Sequence, residues 1–416
     1  MYDLGHQGFL GKSIYLIQTF KEGIMIRILM LSVIYIGCLN SFAMDLSFSS
    51  LARIRYESLT NYDFDESQSD YRAFTSTRMW MAFKAQSKEY HLFFQPQFGR
   101  PWGQSELGSS VSGTTKDPYL SLHQAYISVP VFKSDKVFLS AGRQELAYGD
   151  QLVLGSVGWS TVGRSFDSFK MKWLFGKSYL DVFSAKLSEN NFNSGGSGDK
   201  DLTGIYFSGK YESEFVQEAD AYLLSFHDST VTPDNDVLSY GLRFSGSLSP
   251  VKYRVESTIQ DSDEFQIDAE LAAQMGSIGN IAVSYFVATK NYNQLFPTGH
   301  KWLGIMDIVS RRNIKGFNVQ QTFKWSNSIS HTIAYNKFNR EDLGQTAFSF
   351  SGAPLGLTLN DSEDIGDEVD FVFNYDRDEN LSYQLGGGYF RPGDYLEKNG
   401  LTDLSEFCYL QMLLKF

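Results

Sequence analysis

Over residues 251 to 259, Val251, Tyr253, Val255 and Ile259 share one side of the chain while Lys252, Arg254, Glu256 and Thr258 share the other. A side-chain period of two belongs to a β-strand, because a helix returns to the same face only about every 3.6 residues. The same division recurs over 238 to 248, where Leu238, Tyr240, Leu242, Phe244 and Leu248 oppose Ser239, Gly241, Arg243, Ser245 and Ser247. It recurs again over 265 to 274, with Phe265, Ile267, Ala269, Leu271 and Ala273 against Gln266, Asp268, Glu270 and Gln274, and similar faces run through 317 to 325 and 368 to 375. A soluble sandwich also alternates, but it must cover its apolar faces with a second sheet, and its polar faces rarely carry so many charges. Segments of about ten residues with aromatic-rich apolar faces fit a transmembrane barrel, apolar outside and polar within. Composition agrees: 15% of the residues are aromatic, with 34 Phe and 24 Tyr against 9 Pro, which favours strands over helices. The mean hydropathy of −0.25 excludes a helical membrane protein and leaves a barrel open, since the two faces cancel in the average. The fold class expected is therefore all-β, a transmembrane antiparallel up-and-down barrel.

Connection lengths support that fold. Short links near 86–89, 132–135, 175–177, 249–250, 276–279, 326–329 and 377–380 alternate with longer ones near 60–70, 99–117, 147–163, 188–200, 291–312, 340–365 and 392–404. Outer-membrane barrels have tight periplasmic turns and long external loops, and the pattern predicts about eighteen strands with both chain ends on the periplasmic side. The chain closes on "FCYLQMLLKF", in which Cys408, Leu410, Met412, Leu414 and the terminal Phe416 share a face. That ending resembles the C-terminal signal read by the barrel assembly machinery.

From Met25 the chain reads "MIRILMLSVIYIGCLNSFAMD", with Arg27, an apolar run from Ile28 to Gly37, and Ser41-Phe42-Ala43 before the expected cleavage point. This is the pattern of a secretory signal peptide, and its apolar run is too short to span a bilayer. We therefore divide the chain into an N-terminal extension at 1–24 that precedes the true start, a signal peptide at 25–43 and a barrel at 44–416. Removing the signal leaves Cys408 alone, so the fold is expected to form without a disulfide.

The stretch "AGRQELAYGDQLVLGSVGWSTVGRSFDSFKMKW", residues 141–173, then reads as a strand over 137–146, a loop over 147–163 and a returning strand over 164–174. On the returning strand Ser168, Lys170 and Lys172 face inward against Phe169, Met171 and Trp173. The chain resembles the alginate export family of outer-membrane barrels in Gly142-Arg143-Gln144-Glu145, in Tyr148-Gly149-Asp150-Gln151, in Trp159 and in Gly163-Arg164-Ser165-Phe166-Asp167. It does so again in "LHQAYISV" at 122–129, in "LFPTGHKWLGIMD" at 295–307, which contains His300 and Asp307, and in "GDEVD" from Gly366 to Asp370. The resemblance implies an eighteen-stranded monomeric barrel and a route for an anionic polysaccharide. Where family members commonly carry an Arg two places beyond the Asp of "YGD", this chain has Leu152. Read from the residues alone, Arg143, Glu145, Asp150, Arg164 and Asp167 neutralise one another and pin the loop more readily than they contact a substrate.

The strand faces assign the lumen. Arg53, Arg55, Arg78, Lys170, Lys172, Arg243, Lys252 and Arg254 fall on inward faces, and Glu218, Asp220, Asp268, Glu270, Glu368 and Asp370 fall on inward faces of other strands. A basic arc of this kind lowers the barrier for anions. The reading is a passive outer-membrane channel for an anionic polysaccharide or for smaller anionic solutes, with a weakly selective porin for small polar solutes as the alternative. A barrel enzyme is disfavoured, because His91, His123, His227, His300 and His331 stand beside no nucleophile motif. No metal site is read, since no His or Cys pair has ligand spacing, and no nucleotide or redox cofactor is expected of a gradient-driven channel. The formal charge of −12 argues against nucleic acid as a partner. The partners expected are outer-membrane lipid, the assembly machinery and the solute.

Overall fold

The computed structural model describes residues 44–416, except 66, 68–69, 88–89, 103–119, 133, 190–197, 232 and 262. The expected extension and signal peptide lie outside the described residues. The strands are β1 (Asp45–Thr60), β2 (Arg72–Gln86), β3 (His91–Pro101), β4 (Leu120–Pro130), β5 (Val137–Gln144), β6 (Phe166–Phe175), β7 (Ser178–Ser188), β8 (Lys200–Lys210) and β9 (Glu218–Asp228). They continue as β10 (Asn235–Leu248), β11 (Val251–Gln260), β12 (Phe265–Gln274), β13 (Asn280–Ala288), β14 (Ile314–Lys324), β15 (Ile329–Asn339), β16 (Asp364–Asp376), β17 (Leu381–Pro392) and β18 (Ser405–Lys415).

Each strand pairs antiparallel with its neighbours in sequence, and β1 pairs with β18 in the register Leu51↔Lys415 to Thr60↔Glu406, so the eighteen-stranded sheet closes. Closure leaves no open edge, which a sheet in hydrocarbon requires. The expected alternation holds in three dimensions: on β10, Leu238, Tyr240, Leu242 and Phe244 face outward while Ser239, Gly241 and Arg243 are covered.

One end of the barrel carries the links 87–90, 131–136, 176–177, 211–217, 249–250, 275–279, 325–328 and 377–380, together with both described chain ends. The other end carries 61–71, 102–119, 145–165, 189–199, 229–234, 261–264, 289–313, 340–363 and 393–404. Three of these links, 211–217, 229–234 and 261–264, are absent from the sequence reading, and the short–long alternation fails there because 261–264 is as short as a turn. The loop around Trp159 spans 145–165 rather than 147–163, since β5 stops at Gln144.

Two loops fold back into the lumen. Loop 145–165 and loop 289–313 lie side by side through a parallel bridge between Leu154 and Phe296, reinforced by Gly155 N–H to the Phe296 carbonyl at 2.9 Å and Thr298 N–H to the Gln151 carbonyl at 2.9 Å. Apolar side chains from both loops fill the barrel. Leu146, Leu152 and Leu154 pack with Phe183, Leu202 and Leu224 of the wall, whereas Leu303, Met306, Ile308 and Val309 pack with Phe286, Phe338 and Phe390. Trp302 touches both clusters. Wall glycines make room for large rings: a Cβ on Gly386 would stand 2.3 Å from the Tyr409 ring, and one on Gly241 would stand 2.3 Å from the Tyr222 ring.

Candidate lumenal site

The antiparallel register places Arg53 of β1 directly opposite Arg78 of β2, with Arg55 two residues further along the same face. Like charges this close need acceptors, and loop 145–165 supplies them from its backbone. Arg53 donates to the carbonyls of Gly158 at 3.0 Å and Ser160 at 2.9 Å. Arg78 donates to the same two carbonyls at 3.0 and 3.1 Å, and Arg55 reaches the Trp159 carbonyl at 2.9 Å. Arg55 also meets Glu57 at 2.6 Å. Among the described residues no carboxylate lies within ion-pair distance of Arg53 or Arg78. A carbonyl satisfies a guanidinium's hydrogens without cancelling its charge, so this side of the lumen stays positive.

Trp159 is fixed between two charged or polar partners. The Arg55 guanidinium lies 3.6 Å from its ring centre on one side, and the His300 imidazole stacks at 3.8 Å. Tyr409 meets its edge at 4.9 Å, and His300 is held by Asp307 at 3.1 Å. Both loops and both ends of the sheet thus meet at one indole. Beside it lies a cavity of roughly 600 Å³ lined by Arg53, Arg78, Trp80, Lys301, Gln384 and Gln411, among others.

The opposite wall is neutralised. Arg243 meets Asp150 at 2.8 Å, Asp220 at 3.0 Å and Glu218 at 3.1 Å. Arg254 meets Asp268 at 2.5 Å, and Arg311 reaches the same carboxylate at 2.7 Å. A tyrosine stack adds donors to Asp181, Asp220 and Glu256. Tyr148 and Tyr206 lie 4.4 Å apart and Tyr206 and Tyr222 lie 5.6 Å apart, donating to Asp181, Asp220 and Glu256 at 3.0, 2.9 and 3.0 Å respectively. Burial beside Asp181 raises the Tyr148 hydroxyl well above its usual range, so it remains a donor.

The sequence-predicted residues therefore divide. Arg53 and Arg78 line the cavity, and Arg55 lies against Trp159 beside it. Arg243 and Arg254 lie on adjoining strands as expected, yet their guanidiniums are not in open water: the two residues are 5% and 8% exposed and enclosed by carboxylates. Lys172 is paired with Asp181 at 3.0 Å, Lys170 lies two residues away on the same face, and Lys252 is exposed near the turn end of β11. Arg143 and Asp167 are cross-strand partners on β5 and β6, bonded at 3.0 Å outside the loop that they are expected to pin, whereas Glu145 within the loop bonds His123 at 2.7 Å. Arg164 donates to the carbonyls of Phe296 at 2.5 Å and Pro297 at 3.0 Å. Desolvation lowers the Arg164 guanidinium to about 10, which keeps it charged at neutral pH. Leu152, 1% exposed, belongs to the apolar packing of its loop and points no group at the cavity. Sequence reasoning missed the tyrosine stack and Arg311. Tyr206 and Tyr222 sit on the polar face of their strands, and that placement was the available signal.

A closed eighteen-stranded barrel with a charged lumen partly filled by its own loops defines an outer-membrane channel. The family described as alginate export matches residues 44–291 and 288–408, and the chain belongs to that family. No curated protein matches the sequence. The barrel is similar to the outer membrane protein OprD from Pseudomonas aeruginosa, with a TM-score of 0.61 at 12% identity over 91% of this chain and 95% of that one. It is also similar to OccAB1 from Acinetobacter baumannii, with a TM-score of 0.61 at 12% identity over 91% and 98%. OccK2 from P. aeruginosa gives 0.62 at 10% identity over 89% and 98%.

Proposed function

We propose that anionic solutes, including an anionic polysaccharide, pass this outer-membrane channel along the β1–β2 side of the lumen. The observation that carries the reading is the charge difference between the two walls: among the described residues Arg53 and Arg78 have only carbonyl acceptors, whereas Arg243 and Arg254 are matched by Asp150, Asp220 and Asp268. A cavity edged by Arg53, Arg78 and Lys301 offers a permeant anion a path of positive potential, strengthened by low-dielectric walls. Glu145, Asp150 and Arg164 pin the motif loop rather than touch solute, and Arg143 and Asp167 pair with each other on the flanking strands.

The loop end faces the exterior and the turn end the periplasm, as in other outer-membrane barrels. The leader at 25–43 is removed on export, the barrel begins at 44, and the terminal strand is presented to the assembly machinery. The channel is a monomer surrounded by lipid. It works without catalysis.

The test is the zero-current potential of the purified barrel in a planar bilayer under a salt gradient. At low salt the protein is expected to prefer anions, and Arg53→Gln/Arg78→Gln should move the potential toward cation preference, less so at high salt as screening grows. A folded double variant with the parent's ion preference would favour the weakly selective porin.

A further inference from the structure

The two mouths of the barrel differ in charge. Among the described residues of six links at the loop end, 61–71, 189–199, 229–234, 261–264, 340–363 and 393–404, sixteen are Asp or Glu, and only Arg340 and Lys398 are basic. Arg340 is wholly buried and spends its guanidinium on backbone carbonyls of its own loop, including those of Leu343, Gln345 and Asn360. Of the acidic side chains, Glu264 is buried and the rest reach solvent. Some meet lysines, as Asp361 meets Lys398, Asp342 meets Lys290 and Glu363 meets Lys315. Glu189 and Asp199 meet Lys186. The links 145–165 and 289–313, which turn into the lumen, add Glu145, Asp150 and Asp307 against Arg164, Lys290, Lys301, Arg311 and Arg312, so the described loop end still holds nineteen acidic residues against seven basic ones. At the turn end the described links carry Lys136, Lys177 and Arg377 against five acidic residues, so that mouth is close to balanced. Between them lies the arginine-edged cavity, whose lining includes Leu51, Trp80 and Leu413 from the turn-end halves of β1, β2 and β18.

We propose that this acidic collar makes the channel an electrostatic rectifier: anions, and polyanions above all, are captured faster from the turn end than from the loop end. The proposal rests on the anion path described above and adds a direction to its kinetics. A passive channel cannot favour one direction at equilibrium, so the collar changes entry rates and the response to voltage, not the balance of unidirectional fluxes. An anion approaching the loop end meets a like-charged field before it reaches Arg53 and Arg78, whereas one approaching the turn end does not. Fields of this kind alter association rates by roughly 10- to 1,000-fold and act over a Debye length of about 10 Å at 0.1 M salt.

The probe is trigalacturonate, added to one side of a single oriented channel while its current interruptions are counted. Orientation is read after the counting, by adding streptavidin to one side of a channel biotinylated at Thr402→Cys in a Cys408→Ser background. Entry from the turn end should be at least several-fold faster at 0.1 M salt, and the ratio should approach one at 1 M. Neutralising the collar with Glu189→Gln, Asp234→Asn, Asp261→Asn and Asp263→Asn should raise entry from the loop end and leave entry from the turn end unchanged. Equal low-salt rates from the two sides in an anion-preferring channel would overturn the rectifier while sparing the anion path. A collar variant with unchanged loop-end entry would overturn it too. Cation preference of the parent would instead remove the anion path itself.

Discussion

At the scale of single residues the lumen sorts its arginines by acceptor. Arg243, ringed by Asp150, Glu218 and Asp220, is structural, because removing it leaves the buried Asp220 with no cation among the described residues, while Glu218 keeps Lys210 at 3.4 Å and Asp150 keeps only Arg254 at 3.8 Å and Lys301 at 4.0 Å. Breaking a buried ion pair from one side costs about 3–5 kcal/mol. Arg243→Gln is therefore expected to lower the temperature of the heat-modifiability transition on gels by clearly more than Lys252→Gln, whose side chain is exposed. Equal transitions for the two variants would contradict the assignment. The sequence placed both residues on the inward face through period two alone. It could not show that loop 145–165 delivers Asp150 to Arg243 across 93 positions, because no local pattern encodes that contact. For the same reason the carbonyl acceptors of Arg53 and Arg78 were invisible: a backbone oxygen leaves no mark in the amino-acid code. Trp159 and His300 stood out as motif residues, and their stacking on each other became apparent only once both loops had folded inward.

At the scale of elements, strands were legible and links less so. The alternation in β10, β11 and β12 is strict because each face meets a different solvent, hydrocarbon outside and a wet, packed lumen inside. The links 229–234 and 261–264 escaped notice because they are short and merge with polar-rich strand ends, so neither length nor composition separated them. The wall also carries a constraint that periodicity does not reveal, since Tyr409 lies flat over Gly386 and Tyr222 over Gly241. Gly386→Val should reduce the yield of folded barrel severely, because a Cβ there meets the Tyr409 ring at 2.3 Å, and Tyr409→Ala should partly restore it. Phe416→Ala, which alters the last outward side chain of the terminal strand, should lower outer-membrane yield while leaving the properties of the barrels that do form unchanged. Full insertion of Gly386→Val, or of the terminal variant, measured as heat-modifiable protein, would contradict these assignments.

At the scale of the whole molecule, the barrel is closed by hydrogen bonds between β1 and β18, and apolar side chains of loops 145–165 and 289–313 fill part of the lumen beside the arginine-edged cavity. Sidedness follows from the links: cysteines placed at 402 or 263 should react with an impermeant maleimide on intact cells, and cysteines at 249 or 327 should not. Labelling of the second pair on intact cells would invert the topology. The central claim, that the lumen passes anionic carbohydrate by virtue of uncancelled arginine charge, is tested most directly by flux. Proteoliposomes containing the purified barrel, loaded with labelled trigalacturonate or labelled maltotriose at equal concentration, should release the anionic trimer faster at 0.1 M salt, and the advantage should fade at 1 M as charges are screened. Faster release of the neutral trimer at low salt would contradict the claim.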